Sequence, residues 1–93
     1  MISIKLIYRK FLMFIAGQLL LINIFAYLYS FYPLDFGFET SIDPLYFSFI
    51  TQTSVGYGDF SPKTTRSKIL VMCHSFLSLI LFAESLSIMY SND

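Results

Sequence analysis

Apolar residues arrive in two long runs separated by a shorter mixed stretch, and this pattern sets the elements. The first run, 11–32, carries no charge, and at about 1.5 Å per residue it reaches about 33 Å, enough to cross the hydrocarbon core of a bilayer with some tilt. Tyr27, Tyr29 and Tyr32 gather toward its end, where amphipathic rings favour the head-group region, and Pro33 is expected to stop the helix. The second run predicts a helix over 67–90. Between them, 33–42 carries Asp35, Glu39 and Thr40 and reads as a short solvated loop. Asp43 followed by Pro44 is a helix start, and the helix it opens, 43–53, is too short to span and must be re-entrant. Ser61 and Pro62 read as a further cap and first turn in the return segment 60–66.

Ahead of the first run, 1–10 sets Ile2, Ile4, Leu6 and Ile7 among Lys5, Arg9 and Lys10, which suits an interfacial segment or a basic flank that orients the span. Within the runs, polar residues are few. Gln18 and Asn23 each require a partner, expected on a neighbouring helix. Ser75, Ser78, Phe82, Ser85 and Met89 recur at intervals of three and four, so they share one helical face that lines either a water-filled cavity or a close helix crossing.

The residues between the short helix and the return segment carry the chemistry. Gly56 and Gly58 alternate with Val55 and Tyr57. Glycine enters left-handed backbone conformations without steric cost, so this alternation lets successive carbonyls point to the same side, which a normal strand forbids. Four such segments around an axis would stack rings of carbonyl oxygens from Ser54, Val55, Gly56 and Tyr57, with the Ser54 hydroxyl adding an inner ring, and replace the water shell of a dehydrated cation. The third glycine or following lysine of a nucleotide-binding loop is absent.

Composition agrees with a lipid-covered chain. Of 93 residues, 56% are hydrophobic and 13% charged, too little polar surface to cover a soluble core. The formal net charge is zero, which gives no field for nucleic acid. Cys73 is the single cysteine and forms no intrachain bridge. No triad, metal cluster or phosphate loop supports an enzyme, a cofactor or a small-molecule substrate.

The stretch from Thr51 to Asp59 resembles the signature filter of potassium channels. Val55, Gly56, Tyr57, Gly58 and Asp59 match, and Ser54 stands where that family usually has threonine. Ser61, Pro62, Lys63, Thr64 and Thr65, followed by Lys68 and His74, are similar to the miniature potassium channels of large algal viruses. The resemblance implies an all-α membrane protein, two transmembrane helices with a re-entrant pore helix and filter between them, assembled as a homotetramer within membrane lipid. It implies one pore domain over 1–93, potassium as permeant ion with no cofactor, passive conduction, both termini in the cytoplasm, and a host or viral internal membrane. Filter ligands would be Ser54, Val55, Gly56, Tyr57 and Gly58, with Thr51, Thr53 and Asp59 in support and an aromatic cuff of Tyr46, Phe47 and Phe49 around them. Ile50 occupies the place of a carboxylate found behind the filter in some relatives, leaving Asp59 without that partner. Ser78, where relatives often have glycine, is the hinge candidate. The rival reading is a small viral pore-forming or scaffold protein without ion selectivity.

Two titratable residues remain. His74, about one and a half turns inside Lys68, is either a pH-sensitive element or a neutral histidine bonded within a helix interface. Glu84 is the acid inside the second run. It lies about 160° around the helix from Phe82, away from the serine face, and is expected to pair with Arg9 or Lys10, within a subunit or across an interface.

Overall fold

The computed structural model of the chain describes residues 3–91, and four helices lie among them: α1 (Ile4–Tyr29), α2 (Pro33–Phe36), α3 (Asp43–Gln52) and α4 (Thr65–Met89). Helix α1 starts before the first apolar run. The Ser3 hydroxyl caps it by accepting from the Leu6 amide, and with no proline or glycine before Phe11 the basic flank becomes its first two turns. Met1 and Ile2 of the expected interfacial segment lie outside the described residues. At its far end α1 stops at Tyr29, three residues short of the expected 32, where the Ser30 amide donates to the Ala26 and Tyr27 carbonyls. Pro33 opens α2 instead of closing α1, because its fixed φ and missing N–H suit a first helical position.

The expected solvated loop 33–42 is solvated at Leu34 and from Glu39 to Ile42, but its middle enters the core. Asp35, Phe36 and Phe38 are buried, and Phe36 and Phe38 stack at 5.0 Å while Tyr29 and Phe47 meet Phe36 from the sides at 5.0 Å each. Such ring pairs each add about 0.5–1.5 kcal/mol beyond the area they bury. Phe47 therefore belongs to this core with Phe25 and Ile50, and not to a cuff around the filter. Phe49 is half exposed on the opposite face of α3, and Tyr46 packs on Phe60.

Two carboxylates fold the outer segment. Asp43 does not cap its own helix: its oxygens accept from the amides of Glu39 and Thr40, each at 2.9 Å, and from the Thr40 hydroxyl at 2.8 Å. The Glu39 and then the Thr40 amide hold its carboxyl below the usual range. Asp35 accepts from Arg66 Nε at 2.7 Å and Nη2 at 3.2 Å and from the Thr64 hydroxyl at 2.8 Å, which ties α2 to the start of α4. That start is Thr65, not Ser67 or Pro62. Thr64 is the cap, its hydroxyl accepting from the Ser67 amide while the Ser67 hydroxyl accepts from the Thr64 amide.

Helices α1 and α4 run side by side along a molecule of 51 × 22 × 20 Å, and Lys10 Nζ donates to the Ser91 carbonyl where α1 begins and α4 ends. Both helices keep long apolar faces open, among them Leu20, Ile24, Met72, Phe76 and Leu79, a surface that water does not cover cheaply.

Candidate functional site

Helix α3 ends by aiming its C-terminus at the glycine segment. The Thr53 amide and hydroxyl both donate to the Phe49 carbonyl, and the chain then leaves the helix through Ser54 with φ of 65°. Gly56 and Gly58 follow at 54° and 83°, while Val55 and Tyr57 between them keep negative φ. The amides of Val55 and Gly56 turn back together to the Ile50 carbonyl, at 3.0 and 3.2 Å. These two N–H groups thus face the helix, and the alternating sign of φ is the backbone pattern that lets successive carbonyls point to one side. A Cβ built on Gly56 or Gly58 meets nothing within 4 Å, so it is the backbone conformation, not lack of space, that calls for glycine. Val55 and Tyr57 are 51% and 72% exposed, and the whole segment lies on the surface of the single chain. The negative end of the α3 dipole points along it, a field that favours a cation. Asp59 faces the Tyr46 hydroxyl and raises its pKa, a pairing that no local pattern marks.

On the inner side of this segment, a cavity of about 760 Å³ opens between α1 and α4 beneath the end of α3. Thr51, Thr53 and Ser54 line its roof, and Ser75, Ser78 and Phe82 line its α4 wall. Ser85, expected on the same face, is half buried and lies outside this lining. The Phe82 ring meets Phe14 of α1 edge-on at 5.9 Å, so it faces the outer helix as much as the cavity. Ser78 donates to the Ser75 carbonyl at 2.9 Å, three residues back, and α4 runs through this point as one unbroken helix.

Behind the end of α3 lies a polar chain that starts at Gln18 and Gln52, half-buried at the cavity wall, and runs to the fully buried His74 and Tyr29. Gln52 donates to Gln18 of α1, and His74 of α4 is fully buried between the Gln52 side-chain oxygen at 3.0 Å and the Tyr29 hydroxyl at 2.7 Å. Gln18 thus meets a neighbouring helix, whereas Asn23 donates to the Leu19 carbonyl of its own helix. Gln52 carries no local pattern that marks it, and Tyr29, expected at the head groups with Tyr27 and Tyr32, is instead fully buried; their pairing with His74 spans 22 and 45 residues of sequence. Glu84 is exposed and makes no ion pair among the described residues. Among the described residues the ion pair is Arg66 with Asp35, and Lys10 is taken by Ser91.

Residues 17–91, which hold α3, the glycine segment and α4, match the family model described as "Ion channel". The chain belongs to that ion-channel family. The glycine segment and the cavity lining from Gln18 onward fall inside the matched region, and the two apolar helices, Ile4–Tyr29 and Thr65–Met89, make it an integral membrane protein. The sequence is 33% identical over 69 residues to "Potassium channel protein kcv" of Paramecium bursaria Chlorella virus 1, covering 61% of this chain and 71% of that relative. It is 35% identical over 81 residues, 85% of this chain, to "Two-pore potassium channel 1" of Arabidopsis thaliana, and 47% identical over 47 residues to "Two-pore potassium channel 4" of the same plant. The chain spans 22% and 16% of the length of these two plant relatives. No solved structure matches it.

Proposed function

We propose that this ion channel is selective for potassium and that four copies of the chain surround one pore. The observation that carries the reading is the alternation of positive φ at Ser54, Gly56 and Gly58 directly after the C-terminus of α3. Four such segments stack carbonyl rings from Ser54, Val55, Gly56 and Tyr57, with the Ser54 hydroxyl as the innermost ring. Ions shed water for these oxygens and pass in single file, each arrival repelling the next. Thr51, Thr53 and Asp59 support the filter, and Ser75, Ser78 and Phe82 border the cavity where the ion is still hydrated. A single chain encloses no pore, and the exposure of Val55 and Tyr57 and of the apolar faces of α1 and α4 fits a subunit that neighbours and lipid cover. Both termini lie on the cytoplasmic side, and conduction needs no cofactor. Glu84 pairs across a subunit interface, with Arg9 the available partner because Lys10 is engaged. The relatives named as potassium channels favour the same ion.

Vesicles reconstituted with the purified chain and loaded with potassium test this directly. Potassium and rubidium should exchange rapidly and sodium slowly. Equal uptake of sodium would refute selectivity and leave a non-selective pore.

A further inference from the structure

The polar chain behind the filter fixes the direction of each of its own hydrogen bonds. Gln52 Nε2 lies 2.8 Å from the Gln18 backbone carbonyl and 2.8 Å from Gln18 Oε1. A backbone carbonyl can only accept, so the amide nitrogen of Gln52 faces α1 and its oxygen faces α4. That oxygen sits 3.0 Å from His74 Nε2, which must therefore carry the ring hydrogen. Nδ1 is left as the acceptor for the Tyr29 hydroxyl at 2.7 Å. The ring cannot turn to escape these roles, because it is fully buried and stacked on Phe25 with centroids 4.2 Å apart and planes within 4°.

The placement of this chain along α3 is equally specific. One helical turn before Gln52, the buried Ser48 hydroxyl donates to the Ile22 carbonyl at 2.6 Å, and Ile22 is one turn from Gln18 along α1. Helix α3 is thus hung on α1 at two rungs, Ser48 on Ile22 and Gln52 on Gln18. At the last residue α4 adds a third point through His74. Only Thr53 separates that point from Ser54, where the backbone enters the left-handed region at φ 65°. A non-glycine residue holds such a conformation only where its surroundings over-determine it.

We propose that His74 is a positioning residue for the inner end of the filter: acting through Gln52, it fixes where α3 delivers Ser54 and hence the geometry of the innermost ion site. The inference rests on the potassium-channel reading above. Breaking the His74 to Gln52 bond frees the end of α3 to shift, and the inner site changes its affinity for ions while the outer carbonyl rings are spared.

The test uses the full-length chain in planar bilayers with four variants: His74→Phe, which keeps a ring on Phe25 and loses both hydrogen bonds; His74→Gln, whose amide can still donate to Gln52; Gln52→Met; and the double variant His74→Phe with Gln52→Met. Readouts are block by barium applied from the cavity side, the rubidium-to-potassium conductance ratio, and the thermal midpoint of the assembled channel. His74→Phe should change barium affinity about two- to tenfold, the factor matching one net hydrogen bond. His74→Gln should restore most of the wild-type value, and His74→Phe should add nothing once Gln52 is methionine. Unchanged barium block and conductance ratio in His74→Phe, with only a lower thermal midpoint, would overturn the proposal and leave a structural histidine. So would additive effects in the double variant. If His74→Phe does not assemble, Gln52→Met breaks the same bond from the other side and must shift barium block, and wild-type block there overturns the proposal. A wild-type channel that passes sodium as readily as potassium sinks the functional reading itself, whereas a selective wild type with unmoved variants sinks only this inference.

Discussion

Gly56→Ala separates a conformational requirement from a steric one. Gly56 sits at φ 54°, and a Cβ there meets no atom within 4 Å, so the added methyl costs only what the left-handed conformation costs any residue that has a side chain. That is about 1–2 kcal/mol per residue. In a tetramer the cost is met four times at one ring, about 4–8 kcal/mol for the conducting arrangement, and at about 1.4 kcal/mol per tenfold this lowers its population by at least about a thousandfold. The peptide escapes by flipping, which turns a carbonyl out of the ion path. Gly17→Ala is the control with the same chemical change. Gly17 lies inside α1 without the positive φ, its added Cβ would be 3.9 Å from Leu81 Cδ1 in ordinary contact, and alanine is the better helix former. Single-channel recording beside gel filtration should find assembled Gly56→Ala channels without potassium-selective current, and Gly17→Ala channels that behave as wild type. Gly56→Ala channels with wild-type current and reversal potential would show that conduction does not require the left-handed conformation at Gly56.

The Asp35 clamp makes the outer segment sensitive to acid. Arg66 and then Thr64 lower the Asp35 pKa below its ordinary 3.8, so the clamp contributes its full stability above about pH 3.8 and loses it as pH falls through the depressed value. Thermal melts from pH 7 to pH 3 should show a steeper loss in wild type than in Asp35→Asn, and identical slopes would contradict the clamp. Phe36→Ala empties a fully buried position and should cost about 3–5 kcal/mol per subunit, whereas Phe31→Ala, 58% exposed, should change the thermal midpoint little. Glu84→Gln should weaken the assembled tetramer with unit conductance held, and a fall in conductance at unchanged thermal stability would favour a charged ring at the inner mouth over a pair.

What could be read in the sequence follows from the range of the forces involved. The two long helices are written in uninterrupted apolar runs, and the filter in the alternation of Gly56 and Gly58 with Val55 and Tyr57, because a bilayer's thickness and a backbone's φ each act on residues close in sequence. Caps were harder. Thr64 rather than Ser61 starts α4 because the reciprocal bonds of Thr64 and Ser67 outweigh a proline that is equally at home in a loop. Within 33–42, Glu39 and Thr40 are as solvated as their polarity implies, but Asp35 is buried, and its partner Arg66 is 31 residues away. Phe47 and Phe49 are two positions apart, so one helix turns them to different sides, and only the aromatic cluster of Tyr29 and Phe36 decides which of them is core. The need of Gln18 for a partner on another helix was legible. That the partner would be Gln52, itself held by His74, was not, since nothing local encodes it.

If the alternating backbone at Ser54, Gly56 and Gly58 selects potassium, the reversal potential in a planar bilayer reads that selection. With equal concentrations of potassium on one side and sodium on the other, each tenfold of selectivity moves the reversal potential by about 59 mV. A selective filter predicts a reversal displaced by more than that amount toward the potassium side, and its collapse to zero in Gly56→Ala channels that still pass current. A wild-type reversal near zero in the same gradient would mean that this backbone does not select potassium.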